Sequence, residues 1–341
     1  MKYDVTIGIP VYKSRFYIER ALTSALRQIY PSIEFLVIDD AGNDGSIEVI
    51  RQMISSHPRG KDIRIVSHIT NQGVSVSRNE IIEKAQGNYL YFMDSDDEIR
   101  EDTIELLMHQ VVKYNAEIAF GSYEKIDIFG DRTVYQYPSL QLYGKDQLAC
   151  FAYRKYGGIQ ASACNYLVKT SLLRDNHLCF IDTYYWEDFA FTFDLVTYIS
   201  RAILLPDVTY SYFCRENSLS HYQEREIIPK DEILRNIHTI DHLKKSSSVL
   251  HDKKYYPSRC YYILMTDFYI VCSILKQRKN IYPPISNNEI RKLMSHPATW
   301  HQIWHFEQSR LNNIFLYAIG KMPSLLCVLS IWSLGKLKKL I

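Results

Sequence analysis

Tyr89-Leu-Tyr-Phe-Met93-Asp94-Ser95-Asp96-Asp97 is an apolar strand pattern that stops abruptly in three carboxylates within four residues. Carboxylates that close repel one another, and burying them costs several kcal/mol (~) unless they are paired or bound to a metal. A strand ending this way offers oxygen ligands to a hard divalent cation such as Mg²⁺ or Mn²⁺, and such a cation commonly holds a diphosphate. The plain alternative is an acidic loop at a strand end, with Asp97 capping the following helix. A second acidic pair, Asp39-Asp40, ends the apolar run Phe35-Leu-Val-Ile38 and weakens that alternative.

Outward from this stretch, the first 120 or so residues alternate strand and helix patterns. Strands are expected at 5–11, 33–39, 63–68, 89–93 and 117–121, and helices at 15–28, 46–54, 75–85 and 103–114. Gly87 is expected to stop the third helix as a left-handed terminator. Repeated βα units imply a mostly parallel sheet with helices on both faces. Ligands of such sheets sit outside the carboxyl ends of the strands, where both acidic motifs fall. Beyond residue 122 the pattern changes to a polar hairpin over 123–137, a strand at 161–168, helical spacing over 186–199 and a strand at 202–213. From Pro229 helices dominate, at about 230–246, 255–278, 287–295 and 300–320.

The whole chain has 341 residues, room for about two domains. Apolar residues make up 47%, enough for a sizeable core, and a net charge of +2 argues against a dedicated nucleic-acid binder. The seven cysteines are scattered with no Cys-x-x-Cys pair, which speaks against a disulfide framework or thiolate zinc site and for a reducing compartment. The N-terminus enters a strand pattern directly, so no signal peptide is expected. After Glu307 there is no acidic residue, while Arg310, Lys321, Lys336, Lys338 and Lys339 are basic. The apolar stretch 322–335 falls short of the roughly 20 residues that span a bilayer. It reads either as an interfacial helix with a basic end or as a helix docked on the protein's own core.

Four motifs carry a family resemblance. They are Val5-Thr-Ile-Gly-Ile-Pro10-Val-Tyr12-Lys, Val37-Ile-Asp39-Asp40-Ala-Gly-Asn-Asp44-Gly-Ser46, Asn71-Gln-Gly73-Val-Ser75-Val-Ser-Arg78-Asn79 and Met93-Asp94-Ser-Asp96-Asp97. In this order they resemble the N-terminal half of the family 2 inverting glycosyltransferases of the GT-A fold. The resemblance is strong over 3–125, moderate over 160–222 and weak beyond. It implies an α/β GT-A (Rossmann-like) fold, a mostly parallel sheet flanked by helices, with a helical C-terminal region. The expected domains are a catalytic domain at 1–225, with a nucleotide-binding half at 1–122 and an acceptor-side half at 123–225, followed by a possible membrane-associating helical region at 226–341.

The resemblance also implies roles. Pro10 and Tyr12 end the first strand at the ligand edge, where Tyr12 can lie against a flat base. Asp40 is expected to accept from a uracil imide N–H, a donor adenine lacks, while Asp39 holds the loop and Asp44-Gly45-Ser46 forms a turn and N-cap. Asn71 joins the nucleotide-sugar set. Arg78 would grip Asp94 or Asp97 through a bidentate pair; family members usually carry Ala before this arginine, where this chain has Ser77. Asp96 matches the second aspartate of the family's Asp-x-Asp motif and is expected to bind Mn²⁺ or Mg²⁺, with Asp94 reaching the ribose or donor sugar. Tyr184-Tyr-Trp186-Glu187-Asp188 opens a helix with two acids. Helix-dipole capping is the plain explanation; the resemblance makes Asp188, ahead of Glu187, the general base. Arg215 and Ser218, in a segment resembling the family's Arg-x-x-Ser, are expected at the diphosphate. His221 is a weaker second metal ligand.

The expected function is metal-dependent transfer, with inversion, of a hexosyl or N-acetylhexosaminyl group from a nucleotide sugar, UDP-linked by preference, to a hydroxyl of a glycan or lipid-linked acceptor in surface polysaccharide synthesis. The expected setting is cytoplasmic, at the inner membrane face, with peripheral contact through 322–341 and no nucleic acid. A sugar nucleotidyltransferase is the rival enzyme, but Pro10-Val-Tyr-Lys-Ser-Arg15 lacks the glycines of its phosphate loop. A receiver-type signalling domain would place its acidic pair after strand one, not strand two. A non-catalytic sugar-nucleotide-binding relative is the third rival, though every expected carboxylate is present.

Overall fold

The computed structural model describes residues 2–155, 159–183, 186–215 and 226–341, with 154 and 155 described by backbone alone. Strand β1 (Tyr3–Val11) is buried from Val5 onward on both faces, as a strand inside a parallel sheet covered by helices must be. Helix α1 (Ile18–Leu26) turns Ile18, Ala21, Leu22, Ala25 and Leu26 inward. It starts three residues later than its pattern suggests, because the Ser14 carbonyl accepts from the amides of Tyr17 and Ile18 and closes a turn first. There follow β2 (Ile33–Asp39), α2 (Ser46–Ser56), β3 (Ile63–Ser67), α3 (Val74–Lys84), β4 (Gly87–Phe92), the short β5 (Glu98–Ile99), α4 (Thr103–Lys113) and β6 (Ile118–Ile126). Next come β7 (Arg132–Tyr135), β8 (Leu140–Tyr143), α5 (Gln147–Cys150), β9 (Tyr166–Lys169), α6 (Thr170–Asp175), α7 (Glu187–Leu195) and the long β10 (Arg201–Phe213).

These strands form one mixed sheet in the order β3-β2-β1-β4-β9-β6-β10-β5, with β7 added to β6 and β8 to β10. β1, β2, β3 and β4 pair parallel, and β9 enters antiparallel between β4 and β6. Register places the functional edge. Val11 lies opposite Asp39, so β1 and β2 end level, while Phe92 lies opposite Gly8, so β4 stops earlier and its acidic stretch follows beside the end of β1. The expected hairpin over 123–137 is the β6–β7 pair, with Ile126 opposite Arg132.

Gly87 does not terminate α3. Its φ is not among the positive ones, and the helix ends at Lys84 before an extended Ala85. A Cβ at Gly87 would lie 2.3 Å from the Thr6 amide and 2.4 Å from the Val5 carbonyl carbon, so close strand approach requires the glycine. The strand expected at 161–168 is shorter and later, and the one expected at 117–121 runs on to Ile126.

The chain forms two compact units, residues 1–148, 160–182 and 191–221 in the first and 149–159, 183–190 and 222–341 in the second. The second contains β11 (Ile228–Pro229), α8 (Lys230–Ser247), α9 (Tyr256–Lys276), β12 (Ile281–Tyr282), α10 (Asn287–Leu293), α11 (Trp300–Trp304), α12 (Arg310–Lys321) and α13 (Ser324–Leu337). Helices α8, α10, α12 and α13 each pack on α9. Inside it, the fully buried Arg259 donates to Ser247 Oγ (2.8 Å), Tyr153 Oη (2.7 Å) and Ser246 Oγ (3.1 Å). The helix expected over 300–320 is two helices, the first stopping at Trp304 and the second starting after Ser309, which takes a left-handed φ of 51°. Among the described residues no helix is long and apolar enough to cross a membrane.

Candidate active site

The carboxyl ends of β1, β2 and β4 converge on one edge, and most of the residues singled out in the first unit lie there. Pro10 ends β1 inside the core, while Tyr12 is 44% exposed with the Lys13 ammonium 5.2 Å from its ring. Asp39 accepts from its own loop at the Ala41 amide (3.2 Å). Asp44 accepts from the amides of Arg15 (2.8 Å) and Ser46 (3.1 Å) and from Ser46 Oγ (2.6 Å), and Gly45, φ 90°, enters α2.

Asp40 is more committed than expected. Its Oδ1 accepts from the Gln72 amide (2.7 Å) and faces His68 Nδ1 (2.7 Å), and its Oδ2 accepts from the Gly73 amide (2.9 Å). A carboxylate has about four acceptor positions, so three are spent on the loop that leads into α3. His68 is clamped on its other nitrogen by Glu80 at 2.7 Å. Burial would lower the His68 pKa, but hydrogen bonds from the ring to these two carboxylates outweigh it and raise it. Asn71, just before the gripped amides, is exposed.

The stretch after β4 divides its three acids by environment. Asp94 Oδ1 is ion-paired with Arg78 Nη2 at 3.0 Å; that buried guanidinium also lies 5.4 Å from the Phe180 ring centroid. Of the two partners expected for Arg78, the structure brings it to Asp94. Asp96 Oδ2 is paired with Arg215 Nε at 2.5 Å, and Arg215 lies 4.7 Å from the Tyr17 ring. Asp97 is not a helix cap. It is buried, its Oδ2 accepts from Tyr210 Oη (2.7 Å) and its Oδ1 from the Phe213 amide (2.9 Å). The same Tyr210 oxygen accepts from the Asp94 amide at 3.2 Å, so one buried hydroxyl ties the two ends of the motif together.

Burial first, and the neighbouring Asp94 charge second, push the Asp96 carboxyl up, against Arg215 and Arg20. Burial and the charges of Asp94 and Asp96 raise Asp97 as well. Crowding of three carboxyl groups at one strand end thus works against their ionisation, and their donors are hard oxygens, the type a divalent cation takes. Among the described residues no three acidic, imidazole or thiol side chains form a ready cation cage, so diphosphate oxygens and water would complete any coordination shell.

Glu187 and Asp188 form the first turn of α7, entered through Trp186 at a φ of 71°. Both are half-buried and belong to the second unit. Ser218 and His221 lie outside the described residues. Residues that the sequence reading missed are Tyr210, His68, Glu80 and Arg20, whose Nη2 donates to the Asp96 carbonyl (2.7 Å) and whose Nε meets Glu98 (2.8 Å). No local pattern marks them, since each acts through a long-range contact.

Comparison with known proteins bears on this edge directly. The sequence profile described as Glycosyl transferase family 2 matches residues 6–175. An uncharacterized glycosyltransferase of Haemophilus influenzae is 35% identical over 128 residues, 38% of this chain and 50% of that protein. A putative teichuronic acid biosynthesis glycosyltransferase of Bacillus subtilis is 33% identical over 119 residues, 35% of this chain and 46% of that protein. The match thus spans about half the length of these curated relatives. A crystal structure of residues 1–349 of S. aureus TarS in complex with UDP-GlcNAc superposes with a TM-score of 0.65 at 17% identity, covering 93% of this chain and 90% of that one. The fold is therefore GT-A, and through its N-terminal half the chain belongs to glycosyl transferase family 2.

Proposed function

We propose that the chain is an inverting glycosyltransferase of surface polysaccharide synthesis. It moves a hexosyl or N-acetylhexosaminyl group from a UDP-linked donor to a hydroxyl of a glycan or lipid-linked acceptor. The observation that carries this is the pair of arginine-held aspartates, Arg78–Asp94 and Arg215–Asp96, at the carboxyl edge of a family 2 domain. Support comes also from the fold shared with TarS, which binds UDP-GlcNAc, and from a relative assigned to teichuronic acid synthesis.

In this reading Tyr12 lies against the uracil. Asp40 fixes the 71–73 loop and offers its remaining acceptor position to the imide N–H, with Asn71 beside it. Asp94, held by Arg78, takes the ribose or donor-sugar hydroxyls. Arg215 and Ser218 donate to phosphate oxygens. Asp96, with His221 as a second ligand, would hold Mn²⁺ or Mg²⁺; when bound, the cation supplies counter-charge to the departing diphosphate. Asp188 accepts the proton of the acceptor hydroxyl while that oxygen bonds to C1 from the face opposite the breaking C1–O bond, and UDP leaves. Glu187 orients the acceptor.

A hydrolysis screen over nucleotide sugars with Mn²⁺ and no acceptor tests the reading. UDP-sugars should be cleaved, EDTA should stop the reaction, and Asp96→Ala should abolish it and weaken UDP binding. Activity that survives complete chelation sinks the metal assignment. Equal binding of GDP, ADP and UDP sinks the uracil assignment.

A further inference from the structure

Helix α13 is apolar around nearly its whole circumference, yet only one side is covered. Cys327, Val328, Ile331 and Gly335 are buried, against α9, α10 and α12. Leu325, Leu326, Leu329, Trp332 and Leu337 are exposed at 59%, 52%, 49%, 41% and 81%. At about 100° per residue these five, with Ser333 and Lys336, form one continuous arc of roughly 140°. A helix apolar all round is ordinarily buried all round, so the outer arc is a surface built for a partner. The neighbouring α12 adds Leu311 and Phe315, one turn apart and 78% and 52% exposed.

Charge identifies the partner. From residue 308 onward there is no Asp or Glu, and Arg310, Lys321, Lys336, Lys338 and Lys339 are all basic. Lys336 lies on the exposed arc, its ammonium 4.0 Å from the Trp332 ring centroid. A second copy seated symmetrically on this face would set lysine against lysine, with no acid on α12 or α13 to pair with. An anionic bilayer surface satisfies both features at once. Leucines and tryptophan enter the headgroup–acyl boundary while lysines remain among the headgroups. The 14-residue helix would lie along the interface, being too short to cross it.

We infer that the outer face of α13, extended by Leu311 and Phe315, docks the protein on anionic membrane. This goes beyond the transfer reaction and stands without it. The fully assembled chain should co-sediment with vesicles of phosphatidylglycerol and phosphatidylcholine and not with phosphatidylcholine alone. Binding should weaken as salt rises toward about 0.5 M, where surface charges are screened. Removing Lys338 or Lys339 by K338A or K339A should each cut partitioning by up to about fivefold. Leu329→Glu and Trp332→Ser should abolish it while circular dichroism and donor hydrolysis stay at wild-type level, because both side chains point away from the core. Absence of wild-type binding to phosphatidylglycerol vesicles at low salt overturns the inference. So does a wild-type dimer in solution that Leu329→Glu converts to monomer without lipid binding, since the occupant would then be a second copy.

Discussion

Tyr210→Phe removes a single oxygen that serves both ends of the aspartate motif, donating to Asp97 Oδ2 and accepting from the Asp94 amide. The ring itself is buried and stays packed, so the change is nearly isosteric. Losing a hydrogen bond to a buried acidic group costs about 1.5–3 kcal/mol, and an unpaired backbone amide adds about 1. Together they predict a loss on the order of 2–4 kcal/mol in urea or guanidinium unfolding, with the m-value unchanged. Asp97 keeps its hydrogen bond from the Phe213 amide, so the fold survives but the turn carrying Asp94 and Asp96 loosens. Uridine diphosphate affinity in Mn²⁺ should fall by about tenfold or more, since 1.4 kcal/mol is one decade. Calorimetry on the variant reads this directly. A stability change below about 0.5 kcal/mol, or unaltered nucleotide affinity, would refute the claim that this hydroxyl organises the motif.

Asp188→Asn should lower turnover about 10²–10⁴-fold with UDP binding kept; a dead Glu187→Gln beside an active Asp188→Asn would reverse the assignment. Asp40→Ala should weaken uridine nucleotides by roughly 1–3 kcal/mol and also cost stability, because the Gln72 and Gly73 amides lose their acceptor; a purely nucleotide-binding role would leave unfolding midpoints unchanged. Gly87→Ala should destabilise strongly, the added carbon meeting the Thr6 amide; a thermal midpoint at the wild-type value would disprove the close-approach argument. Burial, over a hydrogen bond to Asn313, lowers the His296 pKa from 6.5 to about 4. Its Nδ1 accepts from the Ala298 amide and its Nε2–H donates to Asn313 Oδ1, the pattern of a neutral ring. The stability this ring contributes is full above about pH 6.5 and lost as pH falls toward 4, about 3 kcal/mol at most; pH-dependent unfolding should show the slope in wild type and a flatter one in His296→Gln.

Much of the sheet was legible because its strands are runs buried on both faces, separated by helices with one apolar stripe. β1, β2 and β4 announce themselves in this way, and so does the carboxylate cluster after β4. Boundaries were less legible where a contact distant in sequence decides them. Gly87 reads as a helix terminator locally, and only the neighbouring β1 backbone reveals why a side chain is excluded. Between α11, which stops at Trp304, and α12 the chain passes through Ser309 in a left-handed conformation that no residue pattern encodes.

By itself the sequence determined the alternation of strands and helices, the order of the acidic motifs and the absence of acids from the last 34 residues, since periodicity and composition are local properties of the chain. Tertiary structure decided partnership. It assigned Arg78 to Asp94 across 16 residues, tied Asp97 to Tyr210 across 113 and committed most of Asp40 to the loop before α3. It also decided which side of α13 is covered. Such outcomes depend on which side chains the folded backbone brings within about 3 Å, the range over which a hydrogen bond forms, and separation along the chain carries little information about that distance.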